Sequence, residues 1–199
     1  RIGGVCLPTV WLPITTLPHP SSQSIRTETL RLILDDVVSS LVVSGARTIA
    51  LITGHCAQGH LSEMYEAALR GIDDHDVRIF AGAQLEPLRR PEVMDHAARY
   101  ETSQLMAIRP DLVDVSALGE TLVTQRDAVL GEDPRLGSEE EGRELMEQAV
   151  QAWSAWINSA DGAGLRRHYQ EAFDGLQPYV DAYYSGSWEE ALLKWWSER

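Results

Sequence analysis

Basic charge is scarce in this chain. Only 17 of its 199 residues are Lys or Arg, a single lysine (Lys194) among them, against 30 Asp and Glu. The net charge of -13 gives a surface that repels phosphate backbones and anionic headgroups, so neither nucleic acid nor a membrane surface is expected as a partner. Cysteine is scarcer still: Cys6 and Cys56 are too few for a disulfide framework, and a reducing, cytoplasmic setting is the expectation. Long apolar runs are missing too. The uncharged stretch from Thr48 up to Glu63 is interrupted by Gly54, His55, Gly59 and His60, and nothing in it suits a bilayer span. Arg1 to Pro20 has no charged-then-apolar pattern of a signal peptide. Because the chain starts on Arg1 rather than Met, the expectation is that its natural N-terminus lies upstream.

What is present suits one folded domain with an appendage. A hydrophobic content of 44% over 199 residues is ordinary for a globular protein. Residues 4–14 begin with a short apolar run and then meet prolines at 8, 13, 18 and 20, which predicts a strand end and an extended loop. From Thr27 the apolar positions Leu30, Ile33, Leu34, Val37, Val38, Leu41 and Val42 recur at helical spacing, and Gly45 ends the run. Arg47 to Thr53 reads as a buried strand carrying Ile49, Ala50, Leu51 and Ile52. A second helix is expected over Leu61 to Arg70 and a further strand over Val77 to Ala83. Helix and strand alternating at short spacing predict an α/β fold: three layers, α/β/α, around a central, mostly parallel sheet. In such folds ligands bind in loops at the carboxyl ends of strands, the place that His55 to His60 would occupy.

Further on, Gly131 to Gly137 reads as a loop, and Ser138 with Glu141 as a capping box ahead of a helix that buries Leu145, Met146, Ala149, Val150, Trp153 and Ile157. After Asp161-Gly162-Ala163-Gly164 the composition shifts, and five of the six tryptophans lie beyond residue 150. The expected organisation is an α/β domain over 1–160 and a Trp-rich helical tail over 161–199. Two short helices are expected in that tail, with Trp188, Trp195 and Trp196 near Leu192 and Leu193 offering an apolar surface to the body or to another subunit.

Two histidine-bearing segments can carry chemistry. Thr53-Gly54-His55-Cys56-Ala57-Gln58 follows the first strand candidate, and Met94-Asp95-His96-Ala97-Ala98-Arg99-Tyr100-Glu101-Thr102-Ser103 lies downstream. A neutral imidazole in a strand-to-helix loop is a ready metal ligand. An imidazole and a carboxylate five residues apart do not share a helix face, so His96 and Glu101 should meet across a turn. The plain alternatives are a loop-satisfied His55, and a helix start in which Asp95 is a cap and Glu101 is solvated. Cys56 beside two imidazoles could be a nucleophile, but a packed thiol is the stronger reading. His60 and Glu63 could serve as ligands, but surface exposure is the stronger reading.

In this order the segments resemble the creatininase family of amidohydrolases, whose pattern runs N-G-H-G-G-N and then H-A-G-x-x-E-T-S. Gly131-Glu132-Asp133-Pro134-Arg135-Leu136-Gly137-Ser138 with Gly142 is similar to the family's later G-x-x-G-D-P-R-x-A-S…G segment. The resemblance spans about residues 5–150, and the tail lies outside it. It implies hydrolysis of a C–N bond in a small, cyclic amide or formamide by a metal-bound hydroxide. The implied metal is zinc or manganese, with iron the further option. His55 would be a metal ligand, His96 the proton donor to the leaving nitrogen, and Glu101 a carboxylate in or beside the metal shell. Asp95, Cys56 and Gln58 would contact substrate, and the assembly would be a homo-oligomer, a hexamer in the family's pattern. The departures are specific. The family's E-x-H-G-x-H-L-P…D segment has no counterpart here, and Ala57 stands where some members carry a ligand carboxylate. The rival expectation is therefore a catalytically impaired relative acting in binding or subunit assembly. On that ground residues 1–199 are expected to bind zinc or manganese weakly and to hydrolyse no amide measurably.

Overall fold

The computed structural model describes residues 3–17, 19, 21–122 and 127–185. They fall into two compact units. The first comprises Arg1–Thr16, Gln23–Gln84 and Ile157–Arg199, and the second Leu17–Ser22 and Leu85–Trp156.

In the first unit, helix α1 (Thr27–Val43) turns its apolar stripe inward, with Leu30 and Val38 buried. Strand β1 (Thr48–Thr53) pairs in parallel with β2 (Arg78–Ala83), Thr48 opposite Arg78 and Thr53 opposite Ala83. Parallel neighbours need a crossover, and α2 (Gln58–His75) supplies it. Helix α2 runs longer than expected and buries His60, Met64, Ala67, Ala68 and Gly71 along one face. A Cβ on Gly71 would come within 2.3 Å of Ile79 Cδ1 and 3.0 Å of Val38 Cγ1, which shows how closely the backbone of α2 approaches its neighbours. Arg31 grips Glu63, and Arg70 grips Asp35 and Glu66, so α1 and α2 are cross-linked on their partly exposed flanks. Such pairs add little stability and mainly fix register.

Two expectations for this unit need correction. Segment 4–14 forms no strand and leaves Val5, Val10 and Trp11 exposed. Strand β1 is buried on one face only: Ile49 is buried, whereas Ala50 and Ile52 are exposed. Successive side chains point to opposite faces of a strand, and the described residues cover the face that carries Ile49 but leave the face of Ala50 and Ile52 open. Strand β1 is also an edge, with β2 as its one neighbour among the described residues.

The far edge of β2 is closed differently. Helix α5 (Gly162–Tyr184) begins at Asp161, whose carboxylate accepts the Gly164 N–H, and buries Leu165 and Tyr169. The Tyr169 hydroxyl accepts the Ala81 N–H at 2.6 Å, on the side of β2 that faces away from β1. Among the described residues of the tail, one long helix thus stands where two short ones were expected. Trp188, Leu192, Leu193, Trp195 and Trp196 lie outside the described residues.

In the second unit, α3 (Arg99–Ile108) and α4 (Glu139–Ser159) carry the structure, joined by loops and single 3-10 turns. Leu145, Ala149 and Trp153 of α4 are buried as expected, but Val150 is exposed, since it lies off the stripe that those residues define.

Replacing Tyr169 with Phe leaves the buried Ala81 N–H without its acceptor, at a cost of about 1–3 kcal/mol. Urea unfolding should show a lower midpoint at unchanged slope. An unchanged midpoint would mean that the bond contributes nothing.

Candidate functional site

The turn after β1 is organised by Thr53. Its carbonyl accepts the Gln84 N–H, and its hydroxyl accepts the His55 N–H at 2.9 Å. The same hydroxyl exchanges a hydrogen bond with His60 Nε2 at 3.2 Å. His55 Nε2 lies 2.7 Å from the carbonyl oxygen of Ile14. A carbonyl only accepts, so Nε2 carries the proton and Nδ1 carries the lone pair. The rings of His55 and His60 meet edge to face, with centroids 5.0 Å apart.

Both imidazoles are held neutral. Burial lowers the pKa of His55 against the opposing pull of the Ile14 carbonyl. Burial, and then the neighbouring His55, lower that of His60 to about 3. His60 is 6% exposed, so the expected surface position is overturned. It sits on the apolar face of α2 one turn before Met64. Its Nδ1 is buried and has no hydrogen-bond partner. Thr15 adds a second such atom: its hydroxyl is buried and unpartnered, and its φ of +52° is strained for a β-branched residue. Thr15 lies against Gly59, where an added Cβ would come within 2.4 Å of its methyl group. Glu63 is withdrawn from any ligand role by the forked grip of Arg31, at 2.7 and 3.0 Å. Cys56 is half-buried and not in a disulfide, and Gln58 opens α2.

The second segment lies in the other unit. Asp95 is buried and caps α3: one carboxylate oxygen accepts the Tyr100 N–H at 2.7 Å and the other the Glu101 N–H at 3.0 Å. His96 pairs through its backbone with Leu130 in both directions. Ala97 takes a φ of +49°, a left-handed conformation that costs about 1–2 kcal/mol in a residue with a Cβ. Its N–H donates to Glu101 Oε2 at 2.7 Å. Glu101 therefore folds back across the turn toward the residue after His96. It is largely withdrawn from solvent, where the plain alternative expected a solvated carboxylate. Burial raises its pKa to about 7, against the lowering effect of the Ala97 N–H and with a further rise from Asp95. Burial also raises Asp95, against its two backbone donors.

The rest of this motif is packing. Ser103 is fully buried and accepts the Ser138 N–H at 3.0 Å, and its hydroxyl lies 2.7 Å from the Arg99 carbonyl oxygen and 2.8 Å from Glu141. Arg99 forks onto Glu141 and also reaches Glu132. Glu141 donates its N–H to Ser138 Oγ, but its carboxylate turns to Arg99 and Ser103, so the capping box is only half made. A Cβ on Gly142 would fall 1.9 Å from the Ser103 carbonyl oxygen, a contact only glycine allows. Spacing in the sequence had no signal for this clamp, nor for the roles of Thr53, Ile14 and Thr15.

Glu101 makes stability depend on pH with a defined sign. A carboxyl whose folded pKa lies above its unfolded value holds a proton that the unfolded chain has lost, so stability falls as pH rises from about 4.5 to about 7. Asp95 shifts in the same direction. Glu101→Gln should be the more stable form near pH 8, by on the order of 2–3 kcal/mol, and nearly equal to the parent near pH 4. Chemical denaturation across that range checks this, and a parent stability that rises with pH would contradict it.

Known proteins share the sequence pattern and the fold of this chain. A family model described as creatininase, creatinine amidohydrolase, matches residues 1–157. A crystal structure of creatinine amidohydrolase is similar at 21% identity and a TM-score of 0.59, over 75% of this chain and 73% of that one. A manganese creatininase gives 22% and 0.54, over 70% of this chain and 66% of the other. A mutant creatininase of Zn-Zn type gives 22% and 0.53 over the same shares. The chain thus spans about two thirds to three quarters of the length of these structures, and at such identities the likeness is one of fold. No individual curated protein matches. The match over residues 1–157 settles the lineage: the chain belongs to the creatininase family.

Proposed function

We propose that this chain carries part of a metal-dependent amidohydrolase that cleaves the C–N bond of a small cyclic amide or formamide. The observation that carries the reading is the His55 ring, proton on Nε2 toward Ile14 and lone pair on Nδ1, the state in which a ligand imidazole is held by its outer partner. The donor chemistry suits a divalent ion. Two neutral imidazoles come together, and one of them has an orphaned buried nitrogen. Imidazole favours zinc over manganese. Among the described residues no group of three His, Cys, Asp or Glu comes together, so these residues would hold one side of a metal shell. When bound, such an ion supplies Lewis acidity and brings the pKa of water down to about 7.

The other residues take roles within their own unit. Glu101 has a pKa of about 7 and can hold or release a proton near neutrality. His96 delivers a proton to the leaving nitrogen, which amide cleavage requires. Asp95 orients this turn through the backbone of α3, and contacts substrate only by giving up bonds it already makes. Cys56 and Gln58 flank His55 as substrate contacts.

Sheet geometry supports the larger three-layer fold. Parallel sheets are covered on both faces, and the exposed Ala50 and Ile52 form a face of β1 that a further helical layer would cover. A cytoplasmic homo-oligomer, hexameric in the family's pattern, belongs to the same proposal. No helix of the described residues is long and apolar enough to cross a membrane.

A second reading, a binding or assembly protein impaired in catalysis, draws on the two-donor set and on Ala57. The test is hydrolysis of creatinine and of a formamide by the full-length protein with zinc or manganese. The proposal expects turnover that falls by about 100-fold or more in His55→Ala and in His96→Ala. No turnover, or turnover indifferent to both changes, would favour the second reading.

A further inference from the structure

His60 has no part in the family pattern, yet it is the most constrained polar group of the turn. It is 94% buried, one ring nitrogen is tied to the Thr53 hydroxyl, and the other is buried with no partner. An orphaned nitrogen at such depth is costly and calls for a ligand. The position has a matching neighbour. His55 is anchored through its own Nε2, which donates to the Ile14 carbonyl, and the two ring centroids stand 5.0 Å apart. With Nε2 of His60 donating to the Thr53 hydroxyl, its Nδ1 likewise carries the lone pair.

We propose that His60 Nδ1 is a metal ligand alongside His55, giving this chain a two-imidazole zinc half-site in place of the carboxylate that Ala57 cannot supply. The inference rests on the amidohydrolase reading for its metal, and on this structure for its ligand. Two imidazoles on one tetrahedral zinc, each at about 2.0–2.1 Å, place their ring centroids on the order of 5 Å apart. The Ile14 carbonyl and the Thr53 hydroxyl act as outer partners that fix each ring. Glu63, the other candidate on this helix, is held by Arg31 and leaves His60 as the replacement. The opening turn of α2 carries no acidic residue and no side-chain cap, so its amide dipoles disfavour a bare cation. That effect is small beside two direct bonds, and it favours anionic groups elsewhere in the shell.

The experiment is zinc binding by this chain, measured by competition with a chromophoric chelator, together with zinc X-ray absorption on the unmodified protein. His60→Leu, checked for folding by circular dichroism, should weaken zinc by at least about ten-fold, as should His55→Ala. The absorption spectrum should need two imidazoles at about 2.0 Å. A spectrum fitted by one imidazole, or zinc affinity unchanged in a folded His60→Leu variant, would overturn the inference, and the absorption result stands even if that variant fails to fold. Two imidazoles on zinc in a protein that hydrolyses no amide would sink the enzymatic reading and leave this one intact.

Discussion

The parallel pairing of β1 with β2 is the constraint from which the first unit follows. Parallel strands cannot be joined by a hairpin, so a helix must cross over, and α2 is that helix. The chain leaving β1 then has to turn at the strand's carboxyl end within the few residues before Gln58. Thr53 is the last residue of the strand, and it holds the register with Gln84, the backbone of His55 and the ring of His60. The position of the imidazole pair is thus a consequence of sheet topology. Burial beside Ile14 and on the inner face of α2 then keeps both rings neutral, which gives the turn its ligand chemistry.

The second unit depends on a different device, a helix start locked from two sides. Asp95 holds the first amides of α3, and Glu101 reaches back to Ala97, so one short turn carries two buried carboxyls and a left-handed alanine. Strain of this kind persists only where the surroundings enforce it. Here the surroundings are Gly131, pressed on Asp95 and Ala98, and the Ser103–Glu141–Arg99 network with Gly142 against the helix backbone. The residues that resemble the family's late segment are the back wall of this turn.

Legibility from sequence tracked the range of the interactions. Local pattern was enough for α1, whose apolar positions recur at helical spacing, and for β2, a short apolar run that is buried on both faces. The apolar run of β1 was read correctly as a strand, but its burial was not, because a run of apolar residues is silent about whether a neighbour covers the second face. The single long α5 was missed because glycine and proline lower helix propensity, whereas Leu165 and Tyr169 hold it by packing on a distant strand. His60 had a readable signal. It falls in step with Met64, Ala67, Ala68 and Gly71, so the stripe that marks the buried face of α2 includes it. The bond from His55 to Ile14 spans 41 residues, and no spacing rule reaches that far.

The central claim is that the turn after β1 presents two neutral, oriented imidazoles. Imidazole nitrogen NMR without metal tests it most directly, as a pH titration of the ring resonances of His55 and His60. The account predicts His55 in the Nε2–H tautomer, and a His60 ring that stays neutral well below pH 5, since its pKa lies at about 3. A His60 that titrates near the free value of about 6.5, or a His55 proton on Nδ1, would contradict it.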